Sequence, residues 1–320
     1  MAQDHYFADP ALKSPLNPDF YNLRQDEREF FKKLTGIADD DALKAHVITI
    51  QTKAYELYSY PCILSFSFTQ LKIAKIPGYR KALKLLEQRE SPILLDMGCC
   101  FGNDIRKAVV DGWPVENVIA SDINPVFWEY GHELFKSNPQ TFPAAFVAGN
   151  IFDPAFLAPR DSKAIITAGG EMSTTVAQIP PLKNLRSLTP LQGKISAIYS
   201  ASFFHLFDQQ TQLQVARRLS SLLSPEKGSV IFGQHAGDST QGYKRGPISI
   251  RNFPTEMSSK AMTFCHSPES WERMWIEDVF GGEDGKGADR IKVDSNLFEL
   301  QRPDLEGMQF WMLNWCVTRL

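Results

Sequence analysis

From Pro92 onward short apolar runs alternate with amphipathic segments of helical length, and no other feature of the sequence narrows the fold as much. Strands are expected at 93–97, 117–121, 144–148, 195–199 and 229–233, with helices between most of them at 103–111, 125–135 and 209–223. Short apolar strands separated by helices form a parallel sheet covered on both faces. The fold class is therefore α/β. Two further strands are expected near the end, at 291–300 and 309–318.

The region before Pro92 reads as helical. In "NPDFYNLRQDEREFFKKLTG", Asn17 can cap a helix, Pro18 sits at a tolerated first-turn position and Gly36 can stop it. In the next helix Leu43, Val47, Ile50, Ala54 and Leu57 form one apolar stripe at three- and four-residue steps, ended by Pro61. "GYRKALKLLEQRE" is a third. The expected organisation is a helical extension over 1–90 packed on a core domain over 91–320. Two stretches within that domain, 161–192 and 236–290, lack a clean period. Long irregular connections in a compact domain commonly act as lids or stay disordered.

Composition excludes several classes. The 320 residues carry a formal net charge of −3 with scattered Lys and Arg, so no electrostatic footprint for nucleic acid is present. No run of about 18 apolar residues predicts a membrane span. The opening "MAQDHYFADP" lacks the basic-then-apolar pattern of a signal peptide. Cys62, Cys99, Cys100, Cys265 and Cys316 form neither a disulfide framework nor a zinc pattern, which predicts a reduced, cytoplasmic protein.

The stretch "ILLDMGCCFGNDIRKAVVDGWP" joins the first strand to the first helix of the alternating region. Asp96 ends the strand, Gly98 and Gly102 shape the turn, and Asn103 opens the helix. A dinucleotide fingerprint needs G-x-G-x-x-G and fails at Cys100 and Asn103; a phosphate loop needs Gly-Lys-Ser/Thr and is absent. At the end of the second strand, Asp122 can accept the ribose hydroxyls of a nucleoside, and either Asp122 or Asn124 can cap the next helix. After the third strand, Asn150, with Ile151 beside it, can serve a turn. After the fourth strand come Ser200, Ala201 and Ser202, which lack the carboxylates that bind magnesium, so no metal is expected. His205 follows as the best titratable candidate, either a base for a hydroxyl acceptor or a packed wall.

The D-x-G-x-x-x-G pattern resembles motif I of class I S-adenosylmethionine (SAM) methyltransferases, with Cys100 in place of the middle glycine. Together with "NVIASDI", "GNIFDP", "LTPLQGKISAIYSASFFHLF" and "GSVIFGQHAG", it resembles a fungal branch of that family, some members of which serve terpenoid and meroterpenoid biosynthesis. The resemblance implies a Rossmann-like fold with a seven-stranded, mostly parallel sheet whose last strand is antiparallel. It implies SAM as cofactor and transfer of methyl to oxygen, carboxylate or hydroxyl, of an apolar terpenoid, polyketide or aromatic substrate. The cofactor would meet Asp96, Gly98, Cys99, Cys100, Gly102, Asp122, Ile123, Asn150, Ile151, Ser200 and Ala201. The amino-terminal helices would close over it, with Tyr55, Tyr58 and Tyr60 as contacts or plain helix packing. Tyr58, His235, Trp271 and Trp275 are candidates for the substrate, the two tryptophans sharing one helical face as an apolar wall or as core. Met257, Met262 and Phe264 are an apolar lid or ordinary packing. A homodimer fits this picture. Rival readings are a nitrogen or carbon methyltransferase and a non-catalytic SAM-binding protein.

Overall fold

The computed structural model describes residues 14–160, 180–245, 262–300 and 309–320. Among the described residues nine strands run in chain order: β1 (Leu94–Met97), β2 (Val118–Asp122), β3 (Ala145–Ala148), β4 (Ala197–Ala201), β5 (Val230–Gly237), β6 (Gly242–Arg245), β7 (Met262–Cys265), β8 (Ile291–Glu299) and β9 (Trp311–Arg319). Seven of them form one sheet in the order β3-β2-β1-β4-β5-β9-β8, and β6 pairs with β7 separately. β1 to β5 are mutually parallel, and β9 runs antiparallel to both β5 and β8. The reversed last strand is the one the family likeness implied. The order reverses between β1 and β4, the place where open α/β sheets take ligands at the carboxyl ends of their strands.

Helices follow the expected periods. They are α1 (Gln25–Thr35), α2 (Asp40–Leu57), the single turn α3 (Pro61–Leu64), α4 (Gly78–Gln88), α5 (Asn103–Val110), α6 (Pro125–Leu134), α7 (Gln209–Leu222), α8 (Pro268–Arg273) and α9 (Gly287–Arg290). Alternation along each strand divides the core. Leu95, Ile119, Ile198 and Ile231 face one layer with Val215 and Leu219 of α7. Leu94, Val118, Ala197 and Val230 face the other, with Leu85 of α4 and Ile105 of α5.

Two expectations at the amino end need correction. Asn17 caps a short 3₁₀ turn, Pro18–Phe20, and α1 begins only at Gln25 after an extended stretch. α2 stops at Leu57, before Pro61, which instead opens α3. Gly36 does stop α1, in the left-handed conformation that favours glycine. The amino-terminal helices share a third cluster, Phe31, Val47 and Ile50 among them, with Phe101, Phe127 and Phe135 of the sheet domain. Glu27 of α1 is 1% exposed and pairs with Arg24 at 2.5 Å and Lys75 at 3.1 Å, which ties the extension to the segment before α4.

The stretch 236–290 is more ordered than its lack of period suggested. It holds the β6–β7 pair, α8, a π-helical turn at Met274–Val279 and α9; residues 246–261, with Met257, lie outside those described. Residues 161–179 of the other irregular stretch also lie outside, and 182–191 contains two 3₁₀ turns.

Candidate active site

The turn after β1 is held in a left-handed path: φ is +81° at Gly98, +49° at Cys100 and +69° at Gly102. A Cβ on Gly98 would lie 2.9 Å from Phe203, and one on Gly102 would lie 2.5 Å from Trp128. Cys100 adopts glycine's conformation while carrying a side chain, at a cost of about 1–2 kcal/mol. The substitution thus keeps the path of a glycine turn. Backbone bonds hold it: the N–H groups of Gly98 and Cys99 donate to Ser121 O at 2.8 and 3.1 Å.

Asp122 closes the same turn from the end of β2. Its Oδ2 accepts the N–H of Cys100 at 2.9 Å and its Oδ1 the N–H of Asn124 at 3.0 Å. The cap of α6 is Asn124, whose Oδ1 accepts Val126 N–H at 3.1 Å. Each oxygen of Asp122 retains a further lone pair. Burial raises its pKa and the backbone N–H groups pull against that shift. Ile123, next in sequence, is an apolar side chain left 64% exposed. Asp96 lies deeper, and burial raises its pKa well above the carboxylate norm, reinforced by Asp104 and Asp122.

Asp104 and Lys72 were not singled out from sequence. Asp104 Oδ2 accepts the hydroxyl of Tyr199 at 2.7 Å, and its Oδ1 accepts Ile73 N–H at 3.0 Å. That bond pins the chain beside half-buried Lys72 to the start of α5. The local string "QLKIAKIPG" has no period and matches no motif, so only tertiary structure brings Lys72 here.

The exits of β3 and β4 complete the edge. Asn150 is exposed and its Oδ1 accepts Phe152 N–H at 3.0 Å, a local turn that leaves the second lone pair open. Ile151 is 4% exposed within the core, so the exposed apolar surface here belongs to Ile123. Ser200 is buried and donates to Met97 O at 3.3 Å, bridging β4 to β1; Ala201 is half-buried. Phe203 then covers Gly98. His205 is half-buried, its Nδ1 accepts Ala236 N–H at 3.4 Å, and burial with the charge of Lys72 lowers its pKa to about 4.

The tyrosines divide. Tyr55 is buried and donates to Ser14 O at 3.0 Å. Tyr58 and Tyr60 are half-buried with ring centroids 4.2 Å apart, and burial, then Tyr58, then Asp122 raise the Tyr60 pKa. Three substrate candidates are corrected by burial. His235, Trp271 and Trp275 are each 0% exposed, so they support the site from below and form no wall open to a ligand. His235 Nδ1 accepts Trp315 Nε1–H at 2.9 Å, and the Trp271 ring lies 4.6 Å from the His235 ring and 4.9 Å from that of Phe204. The helical spacing did place the two tryptophans on one face; that face is turned inward. Phe264 is buried and Met262 half-buried. A cavity of about 500 Å³ opens between the start of α7 and β6, lined by Asp208, Gln241, Tyr243, His266 and Arg273 among others; neither the Gly98–Gly102 turn nor Asp122 lines it.

Residues 16–69 match a family described as the meroterpenoid methyltransferase N-terminal domain. The O-methyltransferase phiE of Fungal sp. is 30% identical over 227 residues, covering 71% of this chain and 62% of that protein. The methyltransferase nvfJ of Aspergillus novofumigatus, named for asnovolin E and chermesin D, is 28% identical over 79% of this chain and 76% of its own length.

The chain is similar to fungal methyltransferases over most of its length, and its amino-terminal segment matches a methyltransferase family model.

The chain spans 62% and 57% of the length of two curated O-methyltransferases it matches, phiE and atr3 of Stereocaulon alpinum. Among solved structures, LepI in complex with SAM is similar at 12% identity and a TM-score of 0.43, over 82% of this chain and 53% of that one. The matched amino-terminal segment of the methyltransferase family contains α1, α2 and the Tyr58–Tyr60 loop, and stops short of Lys72.

Proposed function

We propose that this chain transfers the methyl group of SAM to an oxygen of an apolar small-molecule metabolite. One observation carries the reading: the Asp122 carboxylate is tied to the left-handed turn through Cys100 N–H, beside exposed Ile123, at the carboxyl edge where β1 and β4 diverge. In this reading the turn Gly98–Cys99–Cys100–Gly102 meets the methionine half of the cofactor and Asp96 lies beneath it. Asp122 accepts the ribose hydroxyls and Ile123 covers one face of adenine. Asn150 takes the amino proton of adenine, and Ser200 and Ala201 floor the pocket. Tyr58 and Tyr60 close over it, and His205 stands at the acceptor oxygen.

SAM supplies a methyl group activated by its sulfonium. The protein's part in an in-line displacement is to align the acceptor and exclude water. Names of relatives that specify O-methylation support the choice of oxygen. The five free cysteines accord with a cytoplasmic setting, and no described helix is long and apolar enough to cross a membrane. The homodimer is a separate expectation for sedimentation velocity.

Thermal shift is the test of cofactor class, since a ligand that binds only the folded state raises Tm. SAM and S-adenosylhomocysteine should stabilise the protein at micromolar concentration. Stabilisation by NAD alone would reverse the reading. Radiolabelled SAM incubated with a fungal metabolite extract should then give a labelled apolar product; tight binding with no transfer would mark a binding protein.

A further inference from the structure

Arg106 lies on α5 just beyond the left-handed turn, is 2% exposed, and pairs with no carboxylate among the described residues. Its side chain reaches two carbonyls and a hydroxyl instead. Nη1 donates to Phe101 O at 3.0 Å and to Gly102 O at 3.2 Å, and Nη2 donates to Ser137 Oγ at 3.3 Å. Nε has no partner. The guanidinium stands 5.1, 4.7 and 4.4 Å from the ring centroids of Trp128, Phe135 and Phe142. Phe135 in turn stacks on Phe31 of α1 at 5.0 Å. Taking a charge out of water without a counter-charge is costly, and an apolar side chain of similar length would pack among three rings without that cost. Packing alone therefore does not account for an arginine here.

Its donors meet the end of the turn. Phe101 and Gly102 close the stretch whose φ is positive at Gly98, Cys100 and Gly102. The Gly102 carbonyl also accepts the backbone N–H of Arg106 at 3.2 Å. The Phe101 carbonyl is packed closely by α6, where a Cβ on Gly131 would lie 2.2 Å from its oxygen. In a planar trans peptide the N–H points away from the carbonyl. Holding the Gly102 carbonyl on Arg106 therefore turns the N–H of Asn103 the other way, and that N–H has no acceptor among the described residues. The cation polarises the same peptide and strengthens its N–H as a donor.

We propose that Arg106 is a positioning residue for the cofactor: its fork holds the Phe101 and Gly102 carbonyls so that the Asn103 N–H is free for the carboxylate of the methionine half. This rests on the methyltransferase reading, in which the turn meets that half. Arg106 acts through the backbone and does not touch the ligand. It orders the turn before the ligand arrives, so that ordering does not subtract from binding. Lysine does not replace it, because a single ammonium lacks the planar fork that reaches two carbonyls and a hydroxyl while lying among three rings.

The test compares two ligands that share a nucleoside and a thioether sulfur. S-adenosylhomocysteine carries the amino-acid half, and 5′-methylthioadenosine lacks it. In calorimetric titration of the full chain, Arg106→Met and Arg106→Lys should each weaken S-adenosylhomocysteine by about tenfold or more and leave methylthioadenosine within about twofold of wild type. Circular dichroism checks that the variants fold. Gly131→Ala leaves Arg106 in place and presses on the Phe101 carbonyl from α6. It should show the same split between the two ligands, and it carries the test if the Arg106 variants do not fold. Equal losses for both ligands would reduce Arg106 to a structural support and overturn the proposal. Unchanged binding of S-adenosylhomocysteine, or a lysine variant that binds it like wild type, would also overturn it. If the wild type binds neither ligand, the methyltransferase reading itself falls, which is a distinguishable result.

Discussion

At the exits of β1 and β2 the backbone is strained and the polar groups keep unused hydrogen-bonding capacity; below the exits of β5 and β9 the side chains are packed shut. Cys100 sits at φ +49°, Asp122 offers lone pairs outward and Ile123 is 64% exposed. On the same sheet His235 and Trp315, with Trp271 and Trp275 packed against them, are all but fully buried, ring on ring. The first region carries the features of a ligand surface, and the second carries the rigidity that holds β4 and β5 in place. Strain and exposed apolar surface are tolerated where a ligand offsets them, and close packing supports them from below.

The largest expected effect tests the packed half. Trp271→Ala should cost about 3–5 kcal/mol in urea unfolding, because the site is closed on all sides. SAM affinity of the fraction that stays folded should change little. A loss under about 1 kcal/mol would mean the aromatic cluster is not the support described here.

Acid should act on the packed half next. Burial holds the pKa of His266 at about 4 and that of His235 well below 6.5. A folded pKa below the unfolded value means the unfolded chain binds more protons, so the contribution is present above about 6.5 and lost as pH falls toward 4. Each such histidine steepens the loss by up to about 1.4 kcal/mol per pH unit. Asp96 and Asp122, whose pKa values are raised, act in the opposite sense and soften the slope. His266→Gln should flatten the fall in urea stability between about pH 6.5 and 4. An unchanged slope would show that this histidine is not held neutral by burial.

The smallest effect sharpens the strained half. Cys100→Gly should relieve the left-handed strain, offset in part by the greater freedom of glycine in the unfolded chain, for a net gain of under about 1 kcal/mol. SAM affinity should hold, since the contact to Asp122 uses the backbone N–H. A clear loss of stability would reveal that the thiol packs.

The contrast also governs what the sequence disclosed. The turn and the strands were legible because each depends on local pattern: apolar runs bounded by Gly98, Asp122 or Pro125 read directly. Cys100 looked like a weakened motif because a one-letter string does not show φ. Trp271 and Trp275 were placed on one face by spacing, yet nothing in spacing says whether that face meets solvent or core. Lys72 and Asp104 come together through a bond from Ile73 to α5 that no periodic signal encodes. The tautomer of His205 depends on Ala236, a residue brought near only by the pairing of β4 with β5.

The most direct measurement is calorimetric titration of SAM into the wild type and into Asp122→Ala, with circular dichroism to confirm that both are folded. The account predicts micromolar binding to the wild type. It predicts a loss of roughly 1.5–3 kcal/mol, tenfold or more in Kd, for the variant, because the ribose loses a charged acceptor. Equal affinity in a folded variant would contradict the placement of the cofactor at the end of β2.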